Sequence, residues 1–189
     1  YSGKEVIENF NDDILQELYT PPFEIPLSKV FPKKQKDVVP NKFYILRNAS
    51  RSILAFVDPV KEMLLKVDKN TVYGIKPRNA EQTFAVDALT NPNIPIMTLT
   101  GKAGTGKTLL ALAAALQIRK HFRQIYIARP IVPLSNKDIG YLPGDVESKL
   151  APYMQPLWDN LKIIQDQYKE TDQAHQTINQ MVKEEKLVI

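Results

Sequence analysis

The residues most able to do chemistry in this sequence lie together, from Gly101 to Thr108, as GKAGTGKT. Three of the chain's seven glycines fall inside this stretch, at Gly101, Gly104 and Gly106. A helix follows directly, and helices disfavour glycine, so folding propensity does not account for them. The spacing is that of G-x-x-x-x-G-K-[ST], a loop that wraps phosphate groups. Glycines there permit unusual backbone angles and let the main chain approach a ligand closely. The amides from about Gly104 to Thr108 would point at the α- and β-phosphates, and the helix N-terminus would add partial positive charge. On this reading Lys107 reaches the β/γ-phosphates and the Thr108 hydroxyl ligates Mg²⁺. Gly101, Lys102, Ala103, Gly104, Thr105, Gly106 and Leu109 complete the nucleotide contact. The rival reading is a tight glycine turn with an incidental lysine. It requires the spacing, the flanking elements and the Lys-Thr pair to coincide by chance.

Gln82, in PRNAEQ (Pro77 to Gln82), is a second candidate. Asn79 as N-cap with Gln82 three positions on resembles a capping box. A glutamine amide also suits adenine, accepting from the exocyclic amine while donating to a ring nitrogen. Alone, the cap is at least as good a reading. Paired with a downstream phosphate loop, the same residue falls near the base end of a nucleotide, which favours adenine recognition.

These residues need elements to position them, and the texture of the chain supplies three zones. Tyr1 to about Lys36 is punctuated by prolines and holds one helical pattern, Asn11 to Leu18. Its KKQK run, Lys33 to Lys36, reads as a solvated loop in preference to a phosphate contact. From Pro40 to about Ile75, KFYILRN, SILAFVD and TVYGI read as short strands of a partial barrel or meander. From Lys76 onward, RNAEQTFAVDAL reads as a helix, IPIMTLT as a buried strand, KTLLALAAALQIRK as a helix and QIYIAR as a strand. Helical patterns return at Val146–Leu150, Tyr153–Ile164 and about Asp172–Glu185, before LVI begins another strand. Such alternation implies an α/β fold with a parallel sheet covered on both faces. The expected organisation is residues 1–75 as a β-rich connector and 76–189 as a phosphate-loop domain.

The bulk properties bound the alternatives. A chain of 189 residues accommodates one full core, or one core and a small satellite. The absence of cysteine excludes a disulfide framework or thiolate site, and two histidines argue against a histidine-rich metal centre. No apolar run reaches the length of a membrane span, which leads to an expectation of a cytoplasmic protein without a membrane partner. The net charge of +4 is compatible with a polyanionic partner but is shared by many enzymes. The first residue is Tyr, which suggests a stretch of a longer protein.

GKAGTGKTLLALAAAL, ARPIVPLSNKDIGYLPGDVESKLAPYMQPLWDNL and the upstream PRNAEQ together resemble the PhoH family of ATPases, which is related to the core of superfamily 1 helicases. The resemblance runs from about Tyr73 to Leu161. It implies a P-loop NTPase fold of RecA-like, helicase-core-like type, ATP and Mg²⁺ as cofactors, and the roles given above for Gln82, Lys107 and Thr108. KFYILRNASRSILAFVD leading into YGIKPRNAEQ resembles the connector of the subgroup that carries an N-terminal PIN ribonuclease domain. That subgroup implies RNA as a partner, ATP-dependent RNA unwinding or processing, and homo-oligomeric rings. Neither the PIN domain nor a Walker B strand closed by acidic residues is found in the sequence. The sheet is therefore expected to be incomplete, and this stretch to bind ATP without efficient hydrolysis. The resemblance places Arg129, in IARPIV, at a nucleic-acid contact; the alternative is a buried arginine paired with a carboxylate. Asp138 to Gly144 is a candidate nucleic-acid or subunit loop. Trp158, Tyr153 and Met154 recur at helical spacing and are expected in the core. Two other functions compete: a nucleotide-gated oligomerisation or nucleic-acid-binding module, and a small-molecule P-loop kinase. The kinase is weakened because no arginine follows Lys137.

Overall fold

The computed structural model describes residues 3–32, 38–49, 51–130 and 146–188, with side chains in the last stretch from Tyr153 onward. The KKQK run and the Asp138–Gly144 loop lie outside the described residues. The chain forms two compact units, one of residues 1–70 and 76–97, the other of residues 71–75 and 98–189.

The first unit is built on a five-stranded sheet. Its strands are β1 (Lys4–Ile7), β2 (Glu24–Pro26), β3 (Phe43–Asn48), β4 (Arg51–Asp58) and β5 (Met63–Lys66). They lie in the order β1-β3-β4-β5-β2. The central β3-β4-β5 meander is antiparallel, with Phe43 opposite Phe56 and Phe56 opposite Leu65. β1 joins one edge in parallel and β2 the other in antiparallel fashion. Period-2 alternation sends side chains to both faces, and both faces are covered. Tyr44, Leu46, Ile53, Ala55, Val57 and Leu64 pack with Leu15 and Leu18 of helix α1 (Asp12–Tyr19) and with Leu27 and Val30 of the short helix α2 (Leu27–Val30). On the opposite face Phe43, Ile45 and Phe56 meet Phe84 and Ala88 of helix α3 (Ala80–Thr90). The Phe43 and Phe84 rings are 4.7 Å apart between centroids.

The anticipated first helix is present, with Asn11 accepting from the amides of Asp13 and Ile14 as its N-cap. The meander is also present, but two strands of the proline-punctuated zone, β1 and β2, carry no alternation long enough to read. TVYGI is not a strand. Val72 and Ile75 bridge to each other across a tight turn in which Tyr73 and Gly74 both have positive φ, 41° and 80°. α3, read with the phosphate-loop half of the chain, packs on the connector sheet instead.

IPIMTLT departs from expectation as well. Residues 94–100 form no strand, and Ile96 is 85% exposed. Ile94 and Met97 pack against the α3-side core of the first unit, and no described strand hydrogen-bonds to this segment. A run that reads as a buried strand needs ladder partners on its edges, and sequence reports only its apolarity.

Asp87 on α3 is half-buried, and desolvation pushes its carboxyl up to about 6 from 3.8. The folded state therefore holds this proton more tightly than the unfolded chain does. Below about pH 4 both states are protonated and the group costs nothing. As pH rises from about 4 to about 6 its ionisation progressively opposes folding, and the cost persists above that window. Asp87→Asn is expected to stabilise the protein at pH 7 by about 1–2 kcal/mol, allowing for residual exposure. Thermal melts of both proteins at pH 4 and pH 7 check this: the difference between them should be present at pH 7 and vanish at pH 4.

The second unit centres on helix α4 (Lys107–Ile118), which buries Leu110, Leu112, Ala113, Ala114 and Leu116. A 3₁₀ turn, Arg119–His121, extends it. Helix α5 (Val146–Gln165) runs unbroken where two separate helical patterns were read, through Pro152 and Pro156. α5 packs on α4 and on α6 (Gln173–Lys183). Two short strands, β6 (Ile125–Tyr126) and β7 (Leu187–Val188), pair in parallel. This pair is the parallel sheet of the second unit among the described residues, smaller than the expected one. Trp158 corrects the core reading: α5 buries Leu157, Leu161 and Ile164, and Trp158, one step off that stripe, is 41% exposed. Tyr153 and Met154 are half-buried.

Candidate phosphate-binding loop

The loop 101–106 takes the backbone angles its glycines were expected to permit. Gly101 has φ 152°, Gly104 φ 76° and Gly106 φ 81°. A Cβ on Gly101 would lie 3.3 Å from Thr105 Oγ1, so the turn is also sterically tight there. Gly106, in the left-handed conformation, is the N-cap of α4 and supplies no side-chain cap. The first helical amides, which have no intrahelical acceptor, are left for another partner. With the helix dipole they make an anion-binding end.

Lys107, the first residue of α4, curls back over this loop. Its ammonium donates to the carbonyls of Gly101 at 2.9 Å and Lys102 at 2.8 Å, with Thr105 Oγ1 at 3.4 Å. Thr105 in turn donates to the Lys102 carbonyl at 2.9 Å. The cation is thus held by neutral acceptors, a position from which phosphate oxygens could take over as charge-assisted partners. The Lys102 and Gly101 carbonyls and the Thr105 hydroxyl are supports for Lys107 that a pattern match does not reveal. Thr108, one residue into the helix, is exposed, as are Lys102, Ala103, Gly104 and Thr105; Leu109 is half-buried. Leu110 anchors the first turn, its amide donating to the Gly106 carbonyl at 2.9 Å and its side chain buried. Among the described residues no group of three or more histidine or acidic side chains is placed to hold a metal ion.

Gln82 belongs to the first unit and sits in the capping arrangement. Its amide donates to Asn79 Oδ1 at 2.9 Å, and its side-chain Oε1 accepts from the amide of Arg78 at 2.8 Å. This is a variant of the capping box in which the return bond reaches one residue beyond the N-cap. Arg129 is exposed and donates to the Tyr153 carbonyl of α5 at 2.9 Å. It is not the buried arginine of the alternative reading, and no carboxylate pairs with it among the described residues.

A mixed α/β chain with a glycine-lined turn, a lysine held at its mouth and a helix leaving it has the makings of a P-loop, nucleotide-binding protein. The comparisons agree. The family described as "PhoH-like protein" matches residues 74–189, well over half of the chain, and the chain belongs to that family. Protein PhoH2 of Bacillus subtilis is 44% identical over 139 residues, covering 69% of this chain and 31% of that protein. Protein PhoH2 of Thermobispora bispora is 39% identical over 113 residues, 58% of this chain and 26% of that protein. Protein PhoH of Escherichia coli K12 is 34% identical over 96 residues, 50% of this chain and 26% of that protein. The matched stretch therefore spans between a quarter and a third of these relatives' length. No solved structure matches the chain. Among the described residues no helix is long and apolar enough to cross a membrane.

Proposed function

We propose that this chain is the ATP-binding part of a PhoH-like ATPase, and that the loop Gly101–Thr108 with Leu109 holds the nucleotide phosphates. The observation that supports this most is the Lys107 ammonium, held within 3 Å of two loop carbonyls at an uncapped helix N-terminus. The amides of Gly104 to Thr108 donate to phosphate oxygens, and Lys107 exchanges its carbonyl partners for them. The Thr108 hydroxyl serves as a metal ligand, fitting the hard oxygen donors that Mg²⁺ takes. When bound with ATP, Mg²⁺ would supply charge neutralisation at the phosphates, with the Thr108 hydroxyl as the residue that would hold it. In the whole protein we place this chemistry in the service of RNA unwinding or processing, with Arg129 as a nucleic-acid contact and ring assembly as a further property. On the same reading residues 76–189 are the first part of a RecA-like ATPase domain and residues 1–75 its connector, in a cytoplasmic protein of the PIN-bearing subgroup. α3, within the family match yet packed on the connector sheet, joins the two in sequence.

Gln82 is the base-recognition residue on this reading, and its test separates ATP from GTP. Gln82→Ala is expected to weaken ATP binding by roughly 1–2 kcal/mol, the scale of a lost buried hydrogen bond. GTP, whose six-position carbonyl presents the wrong pattern to the same amide, should be affected less. The capping bonds of Gln82 predict a second effect, a lower melting temperature, because a failed cap costs about 0.5–2 kcal/mol. Fluorescent-nucleotide titration beside thermal melts distinguishes the two. Equal losses for ATP and GTP with a lowered melting point would make Gln82 a purely structural residue.

A further inference from the structure

At the opposite end of α4 from the phosphate loop, Arg119, Lys120 and Phe122 to Ile125 border a cavity of about 280 Å³, and Tyr126 follows directly in the chain. Arg119, Lys120 and Arg123 line one side, and Gln180, Glu184 and Lys186 the other. The cations are not equivalent. Arg119 donates to the Leu116 carbonyl at 2.8 Å and stacks over the Tyr73 ring at 5.1 Å, so it serves the helix C-terminus. Lys186 is paired with Glu184 at 2.6 Å. Lys120 and Arg123 are exposed and have no acidic partner among the described residues. Between and beside them stand two aromatic rings that water reaches, Phe122 at 61% and Tyr126 at 72% exposure. The floor is fixed: Gln124 Nε2 donates to the Glu185 carbonyl at 2.9 Å and Tyr126 Oη to Gln124 Oε1 at 2.8 Å.

A cluster of cations at a helix C-terminus is ordinarily explained by the helix dipole. That explanation covers Arg119 but not Arg123, which lies beyond the turn, nor two rings left mostly open to water. Unpaired cations alternating with open aromatic faces match a strand of linked phosphates and planar bases. We infer that the Arg119–Tyr126 edge is a binding surface for single-stranded nucleic acid. Lys120 and Arg123 contact phosphates there, and Phe122 and Tyr126 offer stacking faces. α4 separates this surface from the phosphate loop by about 18 Å, at 1.5 Å per helical residue. It is therefore a site apart from the phosphate loop, and it does not depend on the nucleotide reading.

Fluorescence anisotropy of a labelled 20-mer of uridine with the 189-residue chain, across a salt series, tests this. Each phosphate contact on a single strand contributes about 0.7 to the slope of log affinity against log salt. The double variant Lys120→Ala/Arg123→Ala is expected to lower that slope by about 1.4. Phe122→Ala should weaken binding roughly fivefold or more with the slope unchanged, and Phe122→Trp should preserve it. ATP affinity of the double variant should equal that of the parent, which keeps this test distinct from that of the phosphate loop. Absence of oligonucleotide binding would overturn the inference, as would an unchanged slope in the double variant. Insensitivity to Phe122→Ala, with inorganic polyphosphate competing equally against both proteins, would show only a general anion patch.

Discussion

Lys107→Ala is expected to weaken binding of Mg-ATP roughly 10- to 150-fold, since hydrogen bonds to charged groups contribute about 1.5–3 kcal/mol. The fold should survive. Lys107 is only half-buried, its polar contacts are to two carbonyls and a hydroxyl of the same loop, and alanine is the best helix former at the start of α4. Removing the side chain leaves the Gly101 and Lys102 carbonyls exposed to water, so they are not stranded without a partner. Titration with a fluorescent ATP analogue, with a melt of the variant alongside, checks both halves. Retained affinity would remove Lys107 from the phosphate site, and a collapsed melting temperature would give it a structural role instead.

Gly74→Ala is the substitution expected to damage stability most. The turn Val72–Ile75 inserts into the second unit. The Tyr73 amide donates to Gln117 Oε1 at 3.0 Å and its hydroxyl to the Ala174 carbonyl at 2.9 Å, and its ring meets Tyr168 edge-on at 5.6 Å. The next residue, Gly74, has φ 80°, and a Cβ there would stand 2.6 Å from Gln167 Cβ. Alanine in the left-handed region costs about 1–2 kcal/mol, and forcing apart a packed contact adds about 1–3 kcal/mol. A combined loss of about 2–5 kcal/mol is expected, read as a shift of the urea midpoint at constant m-value. A variant within 0.5 kcal/mol of the parent, the range of ordinary surface changes, would show that the turn does not pack against Gln167 as described.

How far the sequence could be read differs by region, for physical reasons. GKAGTGKT is legible because its geometry is local: three glycines and a lysine determine the loop whatever surrounds them. Asn79 is legible as a cap for the same reason. IPIMTLT is not, because strand formation depends on partners distant in sequence, and in this structure Ile94 and Met97 pack on the first unit's core. TVYGI misleads through β-propensity, which cannot register that Tyr73 and Gly74 adopt positive φ. β5, MLLK, escaped because it lacks β-branched residues; its strand character comes from pairing with β4 and β2. Trp158 shows the finer limit. Helical periodicity locates the buried stripe of α5 but cannot resolve a residue 100° off its centre. At the candidate site, the hydrogen bonds of Lys107 to loop carbonyls and of Gln82 to the Arg78 amide became visible only with coordinates.

If Gly101–Thr108 cradles nucleotide phosphates, amide NMR of the 189-residue chain titrated with Mg-ATP will register it residue by residue. Large shifts are expected for the amides of Gly104, Thr105, Gly106, Lys107 and Thr108. Those of the β3-β4-β5 meander should scarcely move. Saturating nucleotide that leaves the loop amides unmoved, or that shifts a different cluster of residues instead, would contradict a phosphate cradle at this loop.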